Sequence, residues 1–340
     1  MKDILHFETV ALDDQESAMI IIDQTRLPGE IKMLHLKTQK EIWDAIYLLQ
    51  VRGAPAIGVA AALGLYACAC RIQQNFEAEF LRCAELIETA RPTAVNLSWA
   101  VKRMRTAFQK SSASEALRLE ALRQEAFSIR DEDIDVCRRI GENGLALISN
   151  GDGILTHCNA GQLATVRYGT ALAPIHVGVR RGMNFRVYTD ETRPLLQGAR
   201  LSAFEMVSAG VETTVLCDNM AASLMKTGAI QAVFVGCDRV ARNGDTANKI
   251  GTLGVAIMAK HFGIPFYVCA PTSTIDLDCP NGESIEIENR ADEEVTEMWY
   301  KERMAPEGVK VYNPAFDVTD ADLITAFVTE NGIVYPPYAF

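Results

Sequence analysis

The chain has no unbroken apolar run of about 18 residues, so no membrane-spanning helix is expected. Its opening residues, Met1-Lys-Asp-Ile-Leu-His-Phe-Glu8, lack the pattern of a secretory signal. An excess of basic charge is also missing. Lys and Arg number 33 against 44 Asp and Glu, a net charge of -11, which argues against a nucleic-acid footprint. A local basic pocket for a phosphorylated metabolite remains compatible with that balance. The five histidines, at positions 6, 35, 157, 176 and 261, are dispersed. Cys68 and Cys70 form a C-x-C pair that no second pair or histidine cluster completes, so no metal site is expected. No G-x-G-x-x-G follows the first strand of the second half, which removes the dinucleotide fingerprint, and no cofactor is expected. The nine cysteines are odd in number and irregularly spaced. They read as reduced thiols in a cytoplasm rather than as a disulfide framework.

What is present fits a globular chain of two domains: 340 residues, 49% hydrophobic and 23% charged. Strands are predicted over 18–22 and 31–36, around Asp23-Gln-Thr-Arg-Leu-Pro-Gly29. Thr38 with Glu41 has the form of a capping box for a helix whose apolar face carries Ile42, Trp43, Ile46 and Leu49. That helix ends at Val51-Arg-Gly-Ala-Pro-Ala-Ile-Gly58. Pro55 suits the first turn of a new helix, Gly53 permits close backbone approach, and Arg52 brings a forked charge. The stretch reads either as a phosphate cradle or as a turn between helices with a solvated arginine. The helix onward from Ala56 is almost wholly apolar and is expected to be buried. Helices over about 76–89 and 97–108 are separated by Arg91-Pro-Thr-Ala-Val-Asn96, where Arg91 carries the same two readings. From Ser114 to Ile148, Leu122, Ala126, Ile129, Val136 and Ile140 recur at helical spacing. The domain junction is placed along this helix. It divides a mainly helical amino-terminal domain (1–140) from a catalytic domain (141–340).

In the second half, short apolar strands over 153–157, 185–188, 213–217, 232–236, 265–269 and 333–335 alternate with helical segments. That alternation predicts an α/β fold with a doubly wound parallel sheet. Residues 276–296 are acidic and loop-like. In Gly153-Ile-Leu-Thr-His-Cys-Asn-Ala-Gly161 a strand gives way to a turn, and a helix pattern follows from Gln162. Cys158 thus sits at a strand's carboxyl end, the rim where open α/β sheets bind ligands. Amides at a helix start would favour its thiolate. The same stretch is also read as a buried core cysteine in a tight turn. A loop after Tyr188 gathers Asp190, Glu191, Arg193 and Gln197. After Val235, Asp238 falls just past a strand, and Asn248 and Lys249 are expected at the start of a helix beginning near Ala247. Singly, these are salt-bridged loops and a cap; together they put a thiol, carboxyls, amides and a lysine on one rim.

The motifs carry a resemblance. Asp23-Gln-Thr-Arg-Leu-Pro28, the Arg52 and Arg91 stretches and His157-Cys-Asn-Ala-Gly161 take part in it. So do Asp190-Glu-Thr-Arg-Pro-Leu-Leu-Gln-Gly-Ala-Arg200, Gly236-Cys-Asp-Arg239 and Asn243-Gly-Asp-Thr-Ala-Asn-Lys-Ile-Gly251. In this order they resemble the 5-methylthioribose-1-phosphate isomerases of methionine salvage. That family lies in the superfamily of the regulatory subunits of the initiation-factor-2 exchange complex. The resemblance implies a helical amino-terminal domain with a small sheet, a Rossmann-like carboxyl-terminal domain without nucleotide, and a homodimer. It also implies a catalytic pair at Cys158 and Asp238, with substrate contacts at Arg52, Gly53, Ala54, Arg91, Gln197, Asn248 and Lys249. Gln162 and Arg167, where the chain differs from relatives, are expected in helix.

The chemistry follows from the substrate. A 1-phosphate blocks the ordinary route by which an aldose opens to an aldehyde. The ring oxygen must be protonated and its bond to C1 broken; C2 must lose hydrogen and C1 gain one. One acid and one base meet that need. Asp238 is the expected acid, provided that a water-poor pocket raises its pKa, and Cys158 the expected base. A hydride shift from C2 to C1 is compatible with the same residues. The alternatives are an isomerase of ribose 1,5-bisphosphate or 5-deoxyribose 1-phosphate, and a non-catalytic subunit that binds a sugar phosphate or nucleotide.

Overall fold

The computed structural model describes residues 6–92, 94–111, 114–338 and 340. Met1–Leu5 of the opening stretch and Thr93 of the Arg91 motif lie outside them. By contacts the chain divides into two compact units. The first is Met1–Arg138 with Gly161–Gly169; the second is Arg139–Ala160 with Thr170–Phe340.

The first unit opens with an antiparallel sheet of β1 (Val10–Asp13), β2 (Ala18–Ile22) and β3 (Met33–Leu36), with β2 central. Helices α1 (Gln39–Tyr47), α2 (Ala54–Ala69), α3 (Phe76–Glu88) and α4 (Val95–Lys110) follow, and α5 (Glu115–Leu145) begins there. Thr38 and Glu41 form the reciprocal capping box at the start of α1. Nearly every residue of α2 is buried, because small Ala and Gly side chains let neighbouring helices approach closely. At Gly58 a Cβ would lie 2.9 Å from the Asn96 carbonyl oxygen of α4. The amino-terminal turns of α2 and α4 therefore lie side by side, and Arg52 and Arg91 each stand just ahead of one of them.

The second unit contains a seven-stranded sheet. In chain order its strands are β4 (Gly153–Thr156), β5 (Arg186–Asp190), β6 (Glu212–Leu216), β7 (Ala232–Val235), then β10 (Phe266–Cys269), β13 (Ala326–Thr329) and β14 (Gly332–Val334). The lateral order is β14-β13-β10-β7-β4-β5-β6, parallel throughout except for β14. Apart from that edge strand, this is the 3-2-1-4-5-6 order of doubly wound sheets, with its switch point between β4 and β7. Val233, Val235, Phe266, Val268 and Phe327 fill the core beside Leu155. The helices of this unit are α6 (Ala173–Arg180), α7 (Ala203–Ser208), α8 (Ala221–Met225), α9 (Thr252–Phe262) and α10 (Glu293–Thr296). A second sheet is inserted after β7. It consists of β8 (Arg239–Ala241), β9 (Thr246–Lys249), β11 (Ile275–Asp276) and β12 (Phe316–Thr319), in the order β11-β8-β9-β12.

Two expectations are corrected. No long helix follows the cysteine turn: Gln162–Ala164 is one 3-10 turn, Arg167 lies beyond it outside any helix, and α6 starts at Ala173. Tertiary partners take up the backbone groups that a helix would have paired. Thr9 Oγ1 donates to the Gln162 carbonyl (2.8 Å), Gln24 Nε2 to the Leu163 carbonyl (2.7 Å), and the Val166 amide to Asp133 Oδ2 (2.7 Å). Nor do Asn248 and Lys249 open a helix. They lie on β9, with Asn248 opposite Asp317 and Lys249 opposite Phe316 of β12. The helix waits until Thr252, after Gly251 at φ +103°.

Candidate active site

Cys158 directly follows β4 and its His157, and Asp238 follows β7 after Gly236 and Cys237. β4 and β7 are adjacent and parallel, so the two turns flank the switch point on one rim. The approach is close: a Cβ on Gly236 would fall 2.6 Å from Ala160 Cβ in the cysteine turn. Glycine is therefore required there for steric room rather than for its backbone angles.

Cys158 is buried at 7% exposure and has φ +64°, an uncommon value for a side chain with a Cβ. The strain is held in place from several sides. The Cys158 amide donates to Thr192 Oγ1 at 2.8 Å, and the Cys158 carbonyl accepts from Ser202 Oγ at 2.7 Å. Asn159 Nδ2 donates to Ser202 Oγ (3.2 Å) and to Glu205 Oε1 (2.9 Å), while His176 Nε2 lies 3.4 Å from Glu205 Oε2. His176, Ser202 and Glu205 are fully enclosed. Thr192 is fixed in turn: its amide and that of Arg193 donate to the two oxygens of Asp218, each at 2.7 Å.

Asp238 is exposed, so the water-poor surroundings expected for it are not found. β7 has ended there and the peripheral sheet has begun, which leaves the turn at the surface. Its amide donates to the Ala247 carbonyl at 2.9 Å, and Arg239 pairs with Ala247. One ladder thereby holds Asp238 beside Asn248 and Lys249. Asn248 is buried and donates through Nδ2 to Thr252 Oγ1 at 3.0 Å; Lys249 Nζ lies 4.1 Å from the Phe316 ring centroid. Gln197 is buried on the loop after β5, and its Oε1 has no hydrogen-bond partner. A ligand hydroxyl would satisfy such an atom.

Arg52, Gly53, Ala54 and Arg91 belong to the first unit. Gly53, at φ +91°, precedes α2, and a Cβ there would strike Ala164 at 2.5–2.6 Å. The Arg52 loop thus packs on the segment that continues from the cysteine turn. The helix start anticipated just after Cys158 is not found, whereas Gly53 and Ala54 do open a helix, α2.

His157, Asp190 and Asp218 lie close enough to surround a cation, yet their lone pairs are largely committed. Asp218 accepts the two amides above, and both nitrogens of His157 face other acceptors. Sequence reasoning quoted His157 and Asp190 inside motifs without giving them roles, and it passed over Thr192, Ser202, Glu205 and His176. For the last two a signal existed, a lone ionisable residue within an apolar helical run. Two surface depressions of about 350 and 400 Å³ lie in the helical unit and are lined by none of the expected site residues.

A model of the initiation factor 2 subunit family matches residues 50–336. The chain is 62% identical over 336 residues to the methylthioribose-1-phosphate isomerase of Symbiobacterium thermophilum, covering 97% of this chain and 94% of that protein. It is 54% identical over 334 residues to the 5-deoxyribose 1-phosphate isomerase of Petrotoga mobilis, covering 97% and 96%. The crystal structure of 5-methylthioribose 1-phosphate isomerase from Pyrococcus horikoshii OT3 superposes with a TM-score of 0.93 at 41% identity, over 98% of this chain and 93% of that one.

Proposed function

The chain belongs to the initiation factor 2 subunit family, and on that premise we propose that it is an aldose–ketose isomerase converting 5-methylthioribose 1-phosphate to 5-methylthioribulose 1-phosphate in methionine salvage. The observation that carries the proposal is a thiol and a carboxyl just past the ends of adjacent parallel strands at the switch point of a doubly wound sheet. A subunit that only bound its ligand would have no chemical need for both.

In this reading Asp238, as the acid, protonates the ring oxygen and the C1–O bond breaks. Cys158, as thiolate, takes the hydrogen of C2 as a proton, and the electrons left behind form an enol between C1 and C2. The thiol returns that proton to C1 while the C2 hydroxyl gives its own to the Asp238 carboxylate. Both groups end as they began, and the product is the ketone at C2. Asp238 is exposed without substrate, so the sugar itself must exclude water from the carboxyl for it to enter protonated. Arg52, Arg91 and Lys249 hold the phosphate, helped by the amides of Gly53 and Ala54 at the start of α2. Gln197 and Asn248 receive the sugar hydroxyls. The nine cysteines form no disulfide, as suits a reducing cytoplasm, and among the described residues no helix is long and apolar enough to cross a membrane. A homodimer is the assembly that the resemblance implies, and light scattering at several concentrations tests it.

A second reading, 5-deoxyribose 1-phosphate as the preferred sugar, is favoured by the Petrotoga relative. Proton and phosphorus NMR of the protein with each sugar phosphate in deuterated water decides the matter. Ketose phosphate forming without added cofactor supports the isomerase, and the ratio of kcat/KM values selects the sugar. Deuterium at C1 marks proton transfer through a thiol that exchanges with solvent, whereas its absence is common to a hydride shift and to return of the same proton. No turnover of either sugar would refute the proposal.

A further inference from the structure

His157 stands next to the thiol, and its ring is 1% exposed. Nδ1 lies 3.1 Å from Asp190 Oδ2, and Nε2 lies 2.8 Å from the Ile250 carbonyl oxygen. Both partners are acceptors. A neutral imidazole carries one N–H, so one of the two contacts would set acceptor against acceptor. With Asp190 ionised, only the ring protonated on both nitrogens satisfies both. Burial pushes the Asp190 carboxyl up, while its bond to His157 and the charge of His157 pull it down. Burial alone works against that charge. The hydrogen bond and charge of Asp190, the Ile250 carbonyl and the charge of Asp218 outweigh it and raise the ring above the ordinary histidine range. The carboxylates facing the ring come from three elements: Asp190 from the end of β5, Asp218 from the turn after β6, and Asp317 from β12. The fit around the ring is tight, since a Cβ on Gly251 would fall 2.8 Å from His157 Cε1.

From this geometry we infer that His157 is a positioning residue, a doubly donating imidazolium that ties the Cys158 turn and the end of β5 to the backbone directly after Asn248 and Lys249. The inference rests on the reading of Cys158 as base and Lys249 as phosphate ligand. Ile250 follows Lys249 at once, and Asp317 holds the next turn through the amides of Gly251 (2.8 Å) and Leu253 (3.2 Å). A shift of the Ile250 carbonyl would therefore carry Lys249 with it.

Nitrogen-15 NMR of the whole protein with labelled histidine tests the protonation state directly. Both ring nitrogens of one histidine should stay protonated from mildly acidic to mildly alkaline pH, and that signal should vanish in His157→Gln. A neutral ring at position 157 at neutral pH would overturn the inference, and this reading on the wild-type chain stands even where the variant does not fold. In kinetics, His157→Gln should lower kcat/KM by roughly 10²-fold, the scale of a misplaced contact. The double variant with Lys249→Ala should lose less than the product of the two single losses. Independent, multiplying losses would overturn the tie. If Lys249→Ala alone leaves KM unchanged, the phosphate assignment fails instead, and the NMR result decides the imidazolium by itself.

Discussion

The turn after β4 is buried and hydrogen-bonded on every side, whereas the turn after β7 leaves its carboxyl in solvent. Cys158 has a left-handed backbone, and Thr192 and Ser202 secure both of its peptide groups. The Asp238 amide donates to the Ala247 carbonyl. Yet the two strands are neighbours and the turns share a rim. The difference suits the roles proposed for them. A base that removes a weakly acidic C–H must be aimed beforehand, and strain can be stored where the surroundings over-determine it. An acid that must be protonated near neutrality needs low polarity only at the moment of reaction, which a bound sugar supplies.

The sharpest test of that contrast uses one substitution in each turn. Cys158→Ser keeps the shape of the buried turn and removes the thiolate. Asp238→Asn keeps the size of the exposed residue and removes the acid. Each should lower kcat by about 10²–10⁴-fold with KM little changed, measured by ketose formation. Near-wild-type turnover of either variant removes that residue from the chemistry. Thermal melting sharpens the comparison, because Asp238→Asn, at an exposed position, should change stability by less than about 0.5 kcal/mol.

Next in size is the support beneath the thiol. Ser202→Ala strips the Cys158 carbonyl of its donor and Asn159 of an acceptor. It should cost about 1–3 kcal/mol of stability and up to about 10²-fold in kcat as the thiol loses its aim. A variant that melts early but turns over normally would show that the network serves folding alone. Lys249→Ala belongs to the exposed side of the contrast. Loss of a charge-assisted bond to phosphate, about 1.5–3 kcal/mol, should raise KM by roughly 10–10²-fold with little effect on melting. An unchanged KM places the phosphate elsewhere.

An effect on stability alone concerns the segment that continues from the cysteine turn. Asp133 on α5 accepts the Val166 amide, and burial pushes its carboxyl up to about 7. The folded state then binds a proton that the unfolded chain, near 3.8, releases. The stability contributed by the protonated form is complete below about pH 4 and is lost as pH rises through about 7. Asp133→Asn keeps an acceptor and cannot titrate. Melting temperature measured against pH should therefore fall less steeply for the variant over that window, a difference of up to about 4 kcal/mol. Parallel curves would show that Asp133 does not titrate there.

Local pattern made the elements of both units legible, since the capping box at Thr38, the apolar α2 and the strands beginning at Gly153 and Ala232 rest on short-range chemistry. Strands β1, β8, β9, β11, β12 and β13 escaped it, because a strand of two to four residues is stabilised by pairing partners that a local window does not show. β9 is the clearest case: Asn248 and Lys249 precede a true helix, and only pairing with Phe316 and Asp317 turns them into a strand. The segment after Cys158 failed as a helix for the same reason, its carbonyls and amides taken by Thr9, Gln24 and Asp133. Candidate residues in loops after strands were legible from the rim rule. The enclosed support, Ser202, Glu205 and His176, was not, because its members meet only when α6 and α7 pack.

The sequence alone determined the α/β class, the family, and the presence of a thiol and a carboxyl just past two apolar strands. These depend on composition, on periodicity and on motifs that each lie within a few residues of chain. The tertiary structure alone decided that those two strands are neighbours at the switch point, that one turn is buried and the other wet, and that His157 faces two acceptors. Strand order, burial and the partners of a buried ring are set by which distant segments pair. No local window of the chain contains both partners.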